Sequence, residues 1–269
     1  MVPEPWIEAA LQIARAGAET AATFFRRPGS VDNKSMDAFD PVTEADRAAE
    51  KCMRAMIESR FPDHGILGEE FGSKATGSRW RWVLDPVDGT RGFICGIPTW
   101  TTLVGLELDQ EPVVGVIAQP CTDEVWVGGP AGTTLFTPGG RLRCKVSGET
   151  DLSKARLTTT DPRSGAQSPL NDQEAGAFAE VSTRAKVVRF SLDAYGYGLL
   201  AMGALDLVVE AGLERYDISA LAPVVRGAGG SFLNWAGEGR LDIGQVVAAA
   251  TPELSRQARE VLQGREPNV

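Results

Sequence analysis

The sequence predicts a layered fold of mixed α/β class, and three observations carry that expectation. From Pro5 to about Arg27 the apolar residues Ile7, Ala10, Leu11, Ala14, Ala18, Ala21, Ala22 and Phe25 recur at helical spacing. Between Thr99 and Phe136 lie β-rich runs separated by turn residues, the pattern of an antiparallel meander. Beyond Ala155, strand and helix patterns alternate, which is how a sheet comes to be covered by helices.

In chain order, Pro5 suits a first helical position, and the helix it opens is amphipathic. A loop from Pro28 to Pro41, containing Lys34, leads to a second helix that begins at Thr43-Glu44-Ala45-Asp46 and continues to about Arg60. Thr43 reads as its N-cap, with acids in the first turn where they face the positive end of the helix dipole. Ile66-Leu67-Gly68 is a short strand ending in Glu69 and Glu70. Trp80-Arg81-Trp82-Val83-Leu84 is a buried strand, expected to stop at Asp85 because Pro86 has no N–H to give to a ladder. The meander comprises Thr99 to Leu108, Pro112 to Gln119, Glu124 to Val127 and Thr133 to Phe136. Within it, Gly128-Gly129-Pro130-Ala131-Gly132 has no Lys-Ser/Thr and helix behind it, so it reads as a hairpin loop rather than a phosphate loop. The polar stretch from Arg141 to Asp151 is expected to divide the chain into halves, 1–150 and 151–269. The second half reads as strand Ala155 to Thr160, loop Asp161 to Pro169, helix Asn171 to Ser182 and strand Lys186 to Phe190. A short helix at Asp193-Ala194-Tyr195 and a strand from Leu205 to Glu210 follow, then a helix opened by Tyr216-Asp217-Ile218-Ser219 and closed by Gly229-Gly230. The last elements are a strand near Gln245 to Ala250 and a helix from Pro252 to about Gln263.

Composition bounds the function. A chain of 269 residues, 43% hydrophobic and 23% charged, can bury a core as one large domain or two intimate halves. Nothing approaches 18 consecutive apolar residues, and Met1 to Trp6 has no basic region followed by an apolar one. The expectation is therefore a cytoplasmic protein without a membrane span or signal peptide. A formal net charge of -9 disfavours nucleic acid and anionic membranes as partners and suits a protein that concentrates divalent cations. Cys52, Cys95, Cys121 and Cys144 form no Cys-x-x-Cys pair, so reduced thiols are expected. His64 is the only histidine and reads as part of a turn, which excludes a His-rich zinc site.

The chemistry concentrates in Asp85-Pro86-Val87-Asp88-Gly89-Thr90. Two carboxylates three residues apart around a turn can aim at one point, and two anions held that close need a cation between them or one takes up a proton. The N–H groups of Gly89 and Thr90 follow at once, and at the start of a helix they can hold a phosphate oxygen. Single Asp-Pro and Asp-Gly pairs are otherwise ordinary turn formers. In the same way Thr43, Asp46, Asp193 and Asp217 can be read as helix caps, and Glu69, Glu70 and Glu210 as solvated strand ends.

The complete run, with Phe93 three residues on, resembles the signature of the inositol monophosphatase superfamily, magnesium-dependent and lithium-sensitive sugar-phosphate phosphatases. Lys34 followed by Pro41 to Asp46, Gly68-Glu69-Glu70, and Tyr216-Asp217 with Ala228-Gly229-Gly230 resemble its other elements, in the same order. The resemblance implies a five-layer αβαβα sandwich of the inositol monophosphatase and fructose-1,6-bisphosphatase type. It implies two or three Mg²⁺ ions on Glu69, Asp85, Asp88, Asp217 and the backbone carbonyl of Val87, an oxygen-only set that suits Mg²⁺ better than zinc. Thr90, backed by Asp46, is implied to activate water alongside Glu69 at the metal. Gly89 and Thr90 hold the phosphate, with Lys34 and Glu70 in supporting places. Inhibition by Li⁺ and a homodimer are implied as well.

Asp88 to Ile94, Pro98-Thr99-Trp100, Leu205 to Glu210 and Tyr216-Asp217-Ile218 resemble the histidinol-phosphatase branch. That branch implies L-histidinol phosphate as substrate. Its ammonium and imidazole need further carboxylates, for which Asp193 and Glu210 are the candidates, with Arg91 beside the phosphate turn. Ser191-Leu192-Asp193-Ala194 departs from the Gly-Gly-Asp-Cys usual there. Phosphatases for inositol phosphate, fructose bisphosphate or a 3′-phosphonucleotide share the chemistry. Some bacterial relatives act as partners of the transcription machinery, a role that lost ligands would have favoured; here the set is intact.

Overall fold

A computed structural model describes residues 2–27, 31–33, 41–165, 168–239 and 244–266; Lys34 lies outside them. The first helix, α1 (Glu4–Ala22), stops short of the expected Arg27. From Thr23 the N–H groups bond to carbonyls three residues back, Arg26 adopts φ 56°, and its guanidinium holds the Gly96 carbonyl at 2.8 and 3.0 Å. Strands β1 (Val31–Asn33) and β2 (Pro41–Thr43) pair before α2 (Glu44–Arg60). Thr43 caps α2 by accepting from Ala45 N at 3.1 Å, while Asp46 Oδ2 accepts from Thr43 N at 2.9 Å.

An eight-stranded sheet follows. It comprises β3 (Gly65–Gly68), β4 (Gly72–Lys74), β5 (Trp80–Asp88), β6 (Thr101–Leu108), β7 (Glu111–Gln119), β8 (Glu124–Gly128), β9 (Thr134–Thr137) and β10 (Gly140–Arg143). The order is β10-β9-β8-β7-β6-β5-β3-β4, antiparallel throughout except for β3 beside β5, so the meander stands as expected. One expectation is corrected. Strand β5 does not end at Asp85; the register slips between Asp85 and Asp88, and Pro86 sits in that irregularity, where no ladder N–H is required. Arg141 to Arg143, read as part of a polar stretch, belongs to an edge strand; all of β10 is exposed, so no apolar alternation marks it.

The second sheet has β11 (Arg156–Thr159), β12 (Val187–Phe190), β13 (Leu207–Glu210), β14 (Ser231–Leu233) and β15 (Val246–Ala249), in the order β12-β11-β13-β15-β14. Between β5 and β6 lies the short α3 (Thr90–Ile94); α4 (Asp172–Arg184), α5 (Tyr195–Ala201), α6 (Arg215–Gly227) and α7 (Pro252–Leu262) complete the described helices. α1 and α2 cover one face of the first sheet, α5 and α6 lie between the sheets, and α4 and α7 cover the outer face of the second. This is the expected five-layer αβαβα sandwich.

The layers meet closely where α6 crosses the first sheet. Gly105, Gly115 and Gly128 are paired across β6, β7 and β8, forming a row of glycines. A Cβ on Gly105 would lie 2.7 Å from Ser219 Cβ, one on Gly115 2.7 Å from the Ala220 carbonyl carbon, and one on Gly128 2.6 Å from Val224 N. The helix therefore rests on bare backbone, closer than any side chain would allow. On the opposite face, His64 is buried among Trp6, Phe61, Trp80 and Trp82, and its Nδ1 accepts from Trp82 Nε1 at 3.1 Å. All four cysteines are free thiols. Among the described residues no helix is long and apolar enough to cross a membrane.

Candidate active site

The irregular end of β5 delivers the first carboxylates. Asp85 is 2% exposed, and its Oδ1 accepts from Val87 N at 3.1 Å, which turns the chain sharply. Asp88 Oδ2 accepts from Ala194 N at 2.7 Å and from Thr101 Oγ1 at 3.2 Å, so the start of α5 and the first residue of β6 fix it. Gly89 then takes φ 83°, and a Cβ there would sit 3.0 Å from the Asp193 carboxyl; the position requires glycine twice over. Thr90 begins α3, and its Oγ1 donates to the Val87 carbonyl at 3.0 Å.

Asp217 arrives from the first turn of α6, where its Oδ2 accepts from Glu214 N at 2.7 Å. It thus closes a helix N-terminus as a third-position acid rather than as the N-cap. The angle of α6 is set one turn away by the fully buried Glu107. Its Oε1 accepts from Arg215 Nε at 2.6 Å and Ser219 Oγ at 2.8 Å, and its Oε2 from Arg81 Nη2 at 2.6 Å. Oxygens of Asp85, Asp88 and Asp217 lie within 4.8 Å of one another. Glu69 follows β3 in a turn, with its N–H donating to Leu84 O at 3.2 Å and its carboxyl hydrogen-bonded to that of Asp85. Asp46 is fully buried at the start of α2, and its Oδ2 also accepts from Thr43 Oγ1 at 2.5 Å. The charge of Glu70 acts on Arg47 in that same turn of α2.

Burial and then the charges of Glu69, Asp88 and Asp217 push the Asp85 carboxyl well above its usual range. Burial and then Asp193 and Asp217 do the same to Asp88, and burial raises Asp217 to about 7 against the Glu214 hydrogen bond. Four acids so placed repel one another strongly unless a cation joins them. An oxygen-only set with buried, mutually destabilised carboxylates fits a hard divalent cation.

Behind Asp88 and Asp217 opens a cavity of about 110 Å³, lined by Asp193, Glu210 and Thr160 on its polar side and by Pro169, Leu170 and Leu213 on its apolar side. Glu210 is 5% exposed. Its Oε1 accepts from Thr160 N at 3.1 Å and Thr160 Oγ1 at 2.5 Å, and its Oε2 from Tyr197 OH at 2.8 Å. Burial raises its pKa to about 7 against these hydrogen bonds. Burial also raises Asp193 to about 6, opposed by Arg91. Asp193 does not cap α5: Ala194 holds that position, and Asp193 itself takes φ 49°. Gly89, Thr90 and the exposed Arg91 border an outer groove of about 720 Å³, which shares Asp193 and Thr160 with the cavity.

The structure thus gathers Glu69, Asp85, Asp88 and Asp217, sets Val87, Gly89 and Thr90 at their edge, and puts Asp193 and Glu210 in the adjoining cavity. Sequence reasoning missed Thr101, Thr160 and Tyr197, which bond to these acids, and Glu107, which holds the first turns of α6. Tyr197 reaches Glu210 over a separation of 13 residues. All of them act across distances that no local pattern records.

Residues 2–265 match the model of the Inositol monophosphatase family. The chain is similar to Bifunctional phosphatase IMPL2, chloroplastic, of Arabidopsis thaliana, with 36% identity over 93% of this chain and 73% of that protein. It is 32% identical to Histidinol-phosphatase of Chlorobaculum parvum, covering 94% of each. Among solved structures, an inositol monophosphatase from Zymomonas mobilis superposes with a TM-score of 0.84 at 36% identity, over 97% of this chain and 98% of that one.

Proposed function

The chain belongs to the inositol monophosphatase family and is a phosphatase of it, and we propose that it hydrolyses L-histidinol phosphate to L-histidinol and inorganic phosphate with Mg²⁺. One observation carries the choice of substrate: two carboxylates, Asp193 and Glu210, stand in the cavity wall beyond the acids assigned to the metal. A carboxylate has about four lone-pair sites. Glu210 has three engaged by Thr160 and Tyr197, which leaves one on Oε2 for a donor from the substrate. An ammonium or imidazolium N–H supplies such a donor with the matching charge. The relative from Chlorobaculum parvum carries that activity in its name.

In this reading Glu69, Asp85, Asp88, Asp217 and the Val87 carbonyl hold the cations. A divalent cation there supplies Lewis-acid polarisation of a phosphoryl oxygen. The N–H groups of Gly89 and Thr90, left over at the start of α3, hold another phosphate oxygen. Thr90 Oγ1 gives its proton to Val87 O, so its lone pairs are free to accept from a water O–H. With the Asp46 carboxylate it orients that water in line with the ester oxygen, and Asp46 takes up the water's proton. The phosphorus–ester bond breaks as the water oxygen bonds to phosphorus; the leaving alkoxide takes a proton from a solvent water, and the proton held by Asp46 returns to solvent, so that alcohol and phosphate are released and the carboxylate is restored. Arg91 borders the pocket on its exposed side, and Glu70 supports the Glu69 turn. We place the enzyme in the cytoplasm as a homodimer.

A neutral polyol phosphate is the competing substrate, favoured by the 36% identity to the Zymomonas mobilis enzyme. A buried charged hydrogen bond contributes about 1.5–3 kcal/mol, roughly tenfold to a hundredfold in discrimination. The test is kcat/KM for histidinol phosphate and inositol phosphate with wild type, Asp193→Asn and Glu210→Gln. Histidinol phosphate is expected to lead by that margin and to lose its lead in both variants. Equal turnover of the two phosphates, or an unchanged ratio in both variants, would refute the assignment.

A further inference from the structure

A fully buried carboxylate outside the site, Glu50 of α2, holds the turn that carries Glu69. Its Oε2 accepts from Glu70 N at 2.7 Å, and its Oε1 accepts from Phe71 N at 3.2 Å and from Arg54 Nε at 2.6 Å. Arg54, one helical turn on, also donates through Nη2 to the Gly72 carbonyl. Two consecutive N–H groups after Glu69 and the carbonyl that begins β4 are therefore tied to one face of α2. The fit leaves no space: a Cβ on Gly68 would run into the Glu50 carboxylate and lie 2.8 Å from Arg54 Nη2.

Buried charge of this kind is costly unless every oxygen is engaged, and a shell that fixes backbone is the use that offsets it. The other side of the turn is pinned by Glu69 N to Leu84 O, on the strand that ends in Asp85. Asp46 lies four residues before Glu50, on the same face of α2. One helix thus sets the water-side acid directly and the Glu69 turn through Glu50. We infer that Glu50, through Arg54 and the Glu70 and Phe71 amides, is a positioning residue that sets the Glu69 carboxylate against Asp85 for divalent-cation binding. This rests on the reading of Glu69 as a cation ligand.

The test uses the full chain with Mg²⁺ as the probe. Glu50→Gln keeps the shape but puts an amide NH₂ against one of the donors. Calorimetric titration is expected to read a 10–100-fold weaker Mg²⁺ affinity, the range for residues that orient metal ligands. Hydrogen exchange is expected to speed up at the Glu70 and Phe71 amides, and saturating Mg²⁺ is expected to restore most of kcat. Arg54→Lys, which loses the two-donor fork but keeps the charge, is expected to shift the same readouts less, and it serves if Glu50→Gln fails to fold. A variant that loses stability with Mg²⁺ affinity within twofold of wild type, or with unaltered exchange at those amides, overturns the inference. Glu69→Gln is the control for the underlying reading. If it leaves Mg²⁺ affinity unchanged, the ligand assignment of Glu69 fails and the inference with it, whereas loss of affinity in Glu69→Gln but not in Glu50→Gln refutes the positioning role alone.

Discussion

Replacing Gly115 by alanine adds one methyl group, distant from every acid of the site, yet it is expected to damage catalysis through α6. The new Cβ would lie 2.7 Å from the Ala220 carbonyl carbon and closer still to its oxygen, and both belong to backbone that no rotamer can move aside. Restoring ordinary contact, 3.4 Å or more, pushes α6 off the sheet by at least about 1 Å. Overpacking of this kind costs about 3 kcal/mol, the upper end of its range, because backbone rather than side chain must give. For a chain of this size that lowers Tm by about 6–12 °C. Asp217 rides on the first turn of α6, so the same 1 Å displacement reaches the acid cluster, and a misplacement of that size costs about a hundredfold in rate. Gly129 lies just outside the contact, where a Cβ would come no nearer than 3.3 Å, to the Val113 carbonyl oxygen, so Gly129→Ala is the internal control. Thermal unfolding and kcat/KM on a small phosphate monoester are measured for both variants. Wild-type Tm and turnover in Gly115→Ala would refute the argument that bare backbone contact sets the position of Asp217.

Three further outcomes follow from the structure. Asp206 accepts from Arg156 Nη2 at 2.7 Å, Arg156 N at 2.8 Å and Ser147 Oγ at 2.5 Å; burial raises its pKa, but these hydrogen bonds outweigh it and hold the group below its usual range. A depressed carboxyl stabilises the fold above its unfolded pKa of about 3.9 and loses that contribution as pH falls through the folded value. Asp206→Asn is therefore expected to cost about 1–2 kcal/mol in urea unfolding at pH 7, allowing for the half-exposed Arg156, and progressively less as pH falls below about 3.9; a cost that does not change with pH would contradict this. His64 is lowered by burial, with Asp63 opposing, so its contribution is present above about pH 6.5 and is lost as pH falls through the folded pKa. It is the only histidine, so its single ring resonance is expected to titrate below about 6.5, and a midpoint at or above that value contradicts the buried neutral ring. Light scattering is expected to give a dimer, against 28.7 kDa for one chain.

What the sequence disclosed follows from range. The helix periodicities, the Thr43 cap and the meander are local, and each stands within a few residues of its expectation. The acid run from Asp85 to Thr90 was legible because a turn and its ligating side chains occupy one short segment. The failures are equally physical. Pro86 was read as a strand terminator, but a register irregularity removes the need for its N–H. β10 and β14 are too short or too exposed to carry an apolar signature. Glu107 reaches Arg215 over a separation of 108 residues, and Glu50 reaches Glu70 over 20, so neither partner could be named before the layers were assembled. The glycine row shows the same limit: three scattered glycines become one surface only when β6, β7 and β8 are placed in register.

The central claim is that the cluster of Asp85, Asp88 and Asp217 serves phosphate-ester hydrolysis by holding a divalent cation. Its most direct test is turnover of histidinol phosphate by wild type and Asp88→Asn, titrated with Mg²⁺ after chelation. Turnover is expected to vanish with the chelator and return with Mg²⁺ in wild type, and to fall by more than about a hundredfold in Asp88→Asn, beyond what residues that merely orient ligands cost. Undiminished turnover in the variant, or in chelated wild type, would contradict the account.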